Sequence, residues 1–388
     1  MHTTHEAPSD GRIRVIAAMS GGVDSAVAAG LLHEAGYDVV GVTMKMYAPT
    51  KPAAAKSCCG AQDFDDARTA AATIGIPHYV LDFEEAFRTT VVARFIDDYV
   101  SGRTPNPCVS CNNFVKLGTL RRFANRIGAR YVATGHYARL VHEVDGPHLF
   151  AGDDAGKDQS YALAQLDRTQ LAGLLLPLGS LTKSATRAHA VRLGLSVAEK
   201  PDSQDICFVE GGDYRNVLAT RVAGPGAAAE RAAPGPAAER AAPGAGTIVT
   251  TTGERIGSHD GIAAFTVGQR RGLPATHFND GPRYVTRIDP RTNTIVIGRE
   301  DELDSYGLLA NEVNLIRPER FAHGQVRVRA MTRYRAPLGF AVASIDADGD
   351  LHLRFDRAER AIAPGQLVAL YGETTNEVLA AATIREAV

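Results

Sequence analysis

Short runs of β-branched and apolar residues alternate with longer runs of helical spacing from residue 13 to about residue 140. The short runs are Val15–Ala18, Val39–Met44, His78–Asp82 and Tyr131–Thr134; the long ones are Ser25–Ala35, Asp63–Ile74, Phe83–Ser101 and Asn113–Ile127. This alternation predicts an α/β fold with a doubly wound parallel sheet. Ligands of such sheets sit beyond the carboxyl ends of the strands. The turn at Ser20, the region of Met44 and the pair Gly135-His136 each follow a strand end and are expected to meet around one site. From about Leu163 to Leu218 the pattern reads as helical, through 171–176 and 181–195, with a loop at 200–205.

The pattern then breaks. Ala-Ala-Glu-Arg-Ala-Ala-Pro-Gly occurs at 228–235 and again at 237–244. Such a tract has too little apolar surface to repay chain ordering and predicts a disordered insertion near 224–246. Beyond it, glycine-punctuated β-rich runs at 247–251, 284–288, 294–297, 325–330, 351–355 and 366–370 predict a small central domain and a C-terminal β-barrel. The expected division is 1–212, 213–302 and 303–388, and a length of 388 residues suits two or three domains.

Ser20-Gly21-Gly22-Val23-Asp24-Ser25 joins the first strand to the first helix. A glycine turn there aims unpaired N–H groups and the positive helix end at whatever occupies it, which suits a phosphate. Neither a Gly-Lys-Ser/Thr ending nor a G-x-G-x-x-G fingerprint is present. The lettering instead resembles the signature of the ATP pyrophosphatases, which split ATP into AMP and pyrophosphate while adenylating a substrate oxygen. In that reading Ser20 and Ser25 hydrogen-bond phosphate oxygens and Asp24 helps to hold Mg2+.

Composition narrows the class. No apolar run approaches the roughly 18 residues of a membrane span, and the first fourteen residues lack a signal-peptide core, so a soluble cytoplasmic protein is expected. A net charge of −2 argues against nonspecific nucleic-acid binding by the whole molecule. Two local stripes differ: 317–335 carries six arginines against the single acid Glu319, and 103–130 carries Arg103, Lys116, Arg121, Arg122, Arg126 and Arg130 with no acid. Such stripes suit a polyanion groove, or solvated basic faces offset elsewhere.

Five cysteines in so long a chain do not form a disulfide framework and point to reactive or metal-binding thiols in a reducing compartment. Cys108 and Cys111 stand at C-x-x-C spacing just before a helix predicted to begin near Asn113. A helix N-terminus lowers a thiol pKa, which makes Cys111 a candidate nucleophile. Cys207 follows about a hundred residues later, and Cys58 and Cys59 lie in a loop after the second strand without an assigned role.

Taken together, the motifs resemble the tRNA-specific 2-thiouridylase family along nearly the whole chain. They are the 20–25 turn, Gly-Arg-Thr-Pro-Asn-Pro at 102–107, Cys111-Asn112, Ala-Thr-Gly-His-Tyr at 133–137, Lys157-Asp158-Gln159-Ser160-Tyr161, Ile206-Cys207-Phe208, Gly-Gln-Arg-Arg-Gly-Leu at 268–273, Arg333-Tyr334 and Pro364-Gly365-Gln366. The resemblance implies that ATP adenylates O2 of the wobble uridine of tRNA and that sulfur replaces that oxygen. It implies a persulfide on Cys207, supplied by an upstream donor and released by thiol–disulfide exchange with Cys111. It places ATP contacts at Ala18, Met19, Ser20, Gly21, Gly22, Val23, Asp24, Ser25, Met44 and Gly135. It places tRNA contacts at Asn106, Pro107, Cys108, His136, Lys157, Asp158, Gln159, Arg333, Tyr334 and Gln366.

Many family members have Asp where this chain has Cys108. The extra thiol opens a second sulfur route, in which Cys108, Cys111 and Cys207 ligate an iron–sulfur cluster. An amide or amidine ligase and a non-catalytic nucleotide sensor also fit the glycine turn, but neither needs the two positioned thiols.

Overall fold

The computed structural model describes residues 11–47, 60–202, 206–209, 212–222, 244–273 and 281–388. Cys58, Cys59 and the 224–246 tract as far as Pro243 lie outside the described residues.

Strand β1 (Arg14–Ala18) is buried on both faces because it runs inside a five-stranded parallel sheet. Its partners are β2 (Asp38–Lys45), β3 (His78–Asp82), β4 (Tyr131–Ala133) and a two-residue β7 (Leu174–Leu175), in the order β3-β2-β1-β4-β7. A strand covered on both sides reads as a continuous apolar run, as Val-Ile-Ala-Ala does. Val15 and Ala17 face α1 (Val23–Glu34), α2 (Ala61–Ile74) and the helix Lys183–Arg192, with Ala26, Val27, Ala67, Ala70 and Ala190 in one core. Ile16 faces the helical runs 84–100 and 107–126, with Phe87, Phe95, Val115 and Leu120 in the other. The strand order reverses between β2 and β4 about β1, so the crevice for a ligand opens above β1 and β4.

Two local expectations are corrected. The stretch 171–176 is not helical: a helix Arg168–Ala172 stops at Gly173, and β7 pairs with β4. An open sheet edge outweighs leucine's helix preference there. The helix expected near Asn113 begins at Pro107, with Asn106 as its cap and the Asn106 Oδ1 accepting the Val109 N–H at 3.3 Å. Proline suits a first helical position and asparagine a cap, so the helix starts ahead of Asn113. Cys108 therefore occupies the first turn and Cys111 the second.

Strands β5 (Ala138–Glu143) and β6 (Gly146–Ala151) form a hairpin that the periodicity did not reveal. In the central part, β8 (Gly246–Thr250), β9 (Arg255–His259), β10 (Tyr284–Asp289) and β11 (Thr294–Gly298) make a sheet over Ile248, Phe265, Val285 and Ile295. A closed six-stranded barrel follows: β12 (Asp304–Leu315), β13 (Val326–Met331), β14 (Gly339–Ile345), β15 (Leu351–Arg360), β16 (Leu367–Gly372) and β17 (Val378–Ala387). Ala341, Ala343, Ala380 and Ala382 fill its tight interior, and these alanines concealed β14 and β17 from β-propensity.

The barrel is joined to the first domain by buried polar contacts. Tyr161 donates to the Leu367 carbonyl at 2.7 Å, Ser160 Oγ lies 2.9 Å from the Tyr371 hydroxyl, and Asn314 Nδ2 donates to the carbonyls of Ala164 and Leu166. Among the described residues no helix is long and apolar enough to cross a membrane. The arginine stripes are partly neutralised. Arg317 pairs with Asp145, Glu319 and Glu377, Arg327 with Asp356 and Glu373, and Arg103 with Asp98. These three arginines fasten surfaces rather than line an open groove.

Candidate active site

Two cavities adjoin at the turn after β1. The first is lined by Ala18, Met19, Ser20, Asp24, Ser25, Met44, Gly135 and His136, with Thr43, Met46, Lys116, Thr134 and Gln159. Seven of the ten residues expected at the nucleotide thus share one wall. The turn is tightly organised: the Ser20 N–H donates to Ser25 Oγ at 3.1 Å, and Ser25 Oγ donates to the Gly22 carbonyl at 3.1 Å. Gly21 has φ +75°, and a Cβ there would lie 2.2 Å from the Asp63 carbonyl oxygen. Gly135 presses its backbone onto the start of α1, where a Cβ would lie 2.7 Å from Ser25 N. Only glycine fits either position.

The second cavity is larger and shares Ser20, Asp24 and Gln159 with the first. Asn106 and Cys108 line it from the 107–126 helix, and Lys157 and Tyr161 from the segment before the barrel contact. Lys200, Pro201, Asp202 and Ile206 come from the loop before Cys207, and Tyr334 and Arg335 from the barrel. Arg335 holds φ +63°, an uncommon conformation for a non-glycine residue, and its guanidinium lies 5.1 Å from the Tyr334 ring centroid.

Other expected contacts take different places. His136 Nδ1 lies 2.7 Å from Thr134 Oγ1 on the wall of the smaller cavity. Burial, with Lys116 adding to it, pushes its pKa well below the usual histidine value. Asp158 spends its carboxylate on the N–H groups of Gly152 and Ser160 and on Ser160 Oγ. Arg333 donates to the Arg360 carbonyl, and Pro107 is buried in its helix. Gln366 donates to the carbonyls of Thr104 and Pro105, and so supports the loop that carries Asn106.

The thiols differ in setting. Cys108 is exposed, Cys111 is buried with Sγ 3.8 Å from Met46 Sδ, and Cys207 is half-buried. Cys207 packs on the same apolar cluster that contains Cys111, anchored by Phe208 against Phe87 and Phe95. Cys108, Cys111 and Cys207 do not make a trio whose three sulfurs all lie within 4.8 Å, the spacing of ligands on a single ion; among the described residues Glu143, Asp145 and His148 do meet it. Arg317 already pairs with Asp145 and bonds His148 there.

Several site residues escaped the sequence reading. Lys183 Nζ lies 2.7 and 2.8 Å from the two carboxylate oxygens of Asp24, and Tyr137 donates to Asp24 Oδ1 at 2.7 Å. Lys183 and Tyr137 thus occupy the Asp24 carboxylate without filling it, and a Mg2+ ion held by Asp24, as expected from the sequence, would share it with them. Burial, followed by the Asp24 charge, raises the Tyr137 pKa despite the opposing Thr186 bond, so the phenol stays a donor. Lys200 Nζ bridges the Gly21 carbonyl at 3.0 Å, Asp63 at 2.7 Å and Asp66 at 2.5 Å, and ties α2 to the turn. Lys183 follows the helix cap Thr182, a signal visible in the text but silent about its partner.

A tRNA methyl transferase HUP domain model matches 13–211, a tRNA methyl transferase PRC-barrel domain model matches 238–299, and an aminomethyltransferase beta-barrel domain model matches 305–384. The tRNA-specific 2-thiouridylase MnmA of Moorella thermoacetica is 43% identical over 358 residues, covering 91% of this chain and 95% of that one. The chain belongs to the tRNA-specific 2-thiouridylase family. The Rickettsia massiliae member is 39% identical over 363 residues, covering 93% of this chain and 94% of its own. A solved NMN synthetase from Francisella tularensis aligns over 53% of this chain and 71% of its own at 18% identity, with a TM-score of 0.33.

Proposed function

We propose that the protein thiolates C2 of the wobble uridine of tRNA in the cytoplasm, consuming ATP. The observation that carries this reading is the shared wall between the two cavities, where the Ser20–Ser25 turn faces Asn106, Cys108 and the barrel's Tyr334 and Arg335. The smaller cavity suits ATP, with the N–H groups at the start of α1 and the hydroxyls of Ser20 and Ser25 on its phosphates. The larger cavity suits a uridine turned out of the anticodon loop, with Tyr334 as a stacking surface. In the division 1–212, 213–302 and 303–388, the first part then carries activation and most of the uridine cavity, and the third adds Tyr334 and Arg335 to hold the RNA.

In the first step uridine O2 attacks the α-phosphorus, pyrophosphate leaves, and C2 carries an AMP leaving group. Cys207 bears a persulfide received from an upstream donor. The Cys111 thiolate attacks the inner sulfur, a Cys111–Cys207 disulfide forms, and the outer sulfur departs as hydrosulfide. That sulfur adds at C2, AMP leaves, and an external thiol resets the disulfide. The common apolar cluster beneath Cys111 and Cys207 supports their approach.

The test incubates the protein with unmodified tRNA, ATP, Mg2+ and a persulfide-generating cysteine desulfurase, followed by nucleoside mass spectrometry. 2-Thiouridine together with tRNA-dependent pyrophosphate release is the expected result. Pyrophosphate release that needs ammonia, glutamine or an amino acid instead of tRNA would replace this reading by a ligase. Product formed only after anaerobic iron and sulfide reconstitution would replace the persulfide by a cluster.

A further inference from the structure

The ammonium that occupies Asp24 also serves a second carboxylate. Lys183 Nζ lies 2.7 Å from Asp202 Oδ1, and the other oxygen of Asp202 accepts from Lys157 Nζ at 2.7 Å. Four alternating charges, Asp24, Lys183, Asp202 and Lys157, thus run in contact from the phosphate turn to the wall of the larger cavity. Arg187 adds a weaker partner 3.8 Å from Asp202. The Lys183 side chain is 13% exposed, Asp202 27% and Lys157 33%, so solvent screens the row only in part. Burial alone would raise the Asp202 pKa, but the bonds from Lys157 and Lys183 outweigh it and keep the carboxylate charged.

We propose that this row couples the two ligand sites antagonistically. The inference rests on the reading of the larger cavity as the tRNA site. A triphosphate at the turn draws Lys183 toward itself, and Asp202 then leans on Lys157, which becomes less available to RNA phosphate. RNA that takes Lys157 leaves Asp202 leaning on Lys183, which becomes less available to the triphosphate. Each ligand weakens the other by the same factor, as linkage requires. Departure of pyrophosphate returns Lys183 to Asp202 and releases Lys157 to the RNA, so the adenylated tRNA is held more firmly for the sulfur step.

The experiment measures the Kd of an α,β-methylene ATP analogue with Mg2+, alone and with saturating unmodified tRNA. The wild-type ratio is expected to be about fivefold or more. Asp202→Asn is expected to bring the ratio within about twofold of one, and Lys183→Arg, which keeps the relay charge, to preserve it. A substitution that only loosened the fold would weaken nucleotide binding in both conditions and leave the ratio standing. A wild-type ratio of one, or the wild-type ratio retained in Asp202→Asn, overturns the coupling. Wild-type protein that binds no tRNA removes the functional reading, and the coupling with it.

Discussion

Gln366 Nε2 lies 3.0 Å from the carbonyl oxygen of Thr104, 262 residues earlier in the chain. The amide also reaches the Pro105 carbonyl at 3.1 Å, and the Thr104 N–H returns a bond to the Pro364 carbonyl at 2.7 Å. The barrel thus holds the loop that delivers Asn106 and Cys108 to the larger cavity. The barrel carries Tyr334 and Arg335 on the same body, so the two sides of that cavity are set by one docking.

Gln366→Ala removes both side-chain bonds, each worth about 1 kcal/mol, and lets the loop drift. Turnover is expected to fall by about tenfold or more, because small misplacements of a reacting group cost rate. The affinity for tRNA should stay within about twofold if the amide positions the loop. Single-turnover thiolation and filter binding on the same preparation check this. A selective loss of tRNA affinity with normal turnover would make Gln366 an RNA contact instead.

Gly135→Ala places a Cβ 2.7 Å from Asp24 C and Ser25 N, where backbone on both sides must shift. The displaced atoms open the α1 N-terminus, so nucleotide affinity is expected to drop by about tenfold or more. Isothermal titration with a non-hydrolysable ATP analogue reads the effect. Affinity equal to wild type would show that the nucleotide does not use this end of α1.

His136 gives a pH dependence. Its folded pKa lies well below that of the unfolded chain because burial, then Lys116, disfavours the imidazolium. The unfolded chain therefore binds more protons below a pH of about 6.5, and stability falls as the pH drops through that region. The contribution is fully present above about 6.5 and is lost progressively on acidification. Urea unfolding of wild type between about pH 7.5 and 5 should show the decline, and His136→Gln should flatten it. An unchanged slope in the variant would assign the decline to other groups.

Cys207→Ser is expected to abolish 2-thiouridine while tRNA-dependent pyrophosphate release continues, because the thiol acts after activation. Asp24→Ala should lose both steps, since it disturbs the turn and frees Lys183. Parallel assays of pyrophosphate and modified nucleoside separate the two. Normal thiolation by Cys207→Ser would refute the sulfur-carrying role.

The strand–helix order of the sheet from β1 to β4, the glycine turn at Ser20–Ser25 and the positions of the thiols were legible in the sequence because each is encoded locally. A buried parallel strand needs an apolar run, a tight turn needs glycine, and a capped helix needs a residue such as Asn106. Local reading also misplaced things: the helix that begins at Pro107 reads as starting near Asn113, and Leu174-Leu175 reads as helix although it forms the edge strand β7. The rest required the packed molecule. Lys183 reaches Asp24 across 159 residues, and Lys200 reaches Gly21 across 179. No periodicity links such pairs. Two lysines look alike in sequence, and which carboxylate each finds depends on where the helix Lys183–Arg192 and the 200–202 segment lie against the sheet. Likewise the expected RNA-facing amide of Gln366 turns inward, because barrel docking leaves two backbone carbonyls that need donors and places Gln366 beside them.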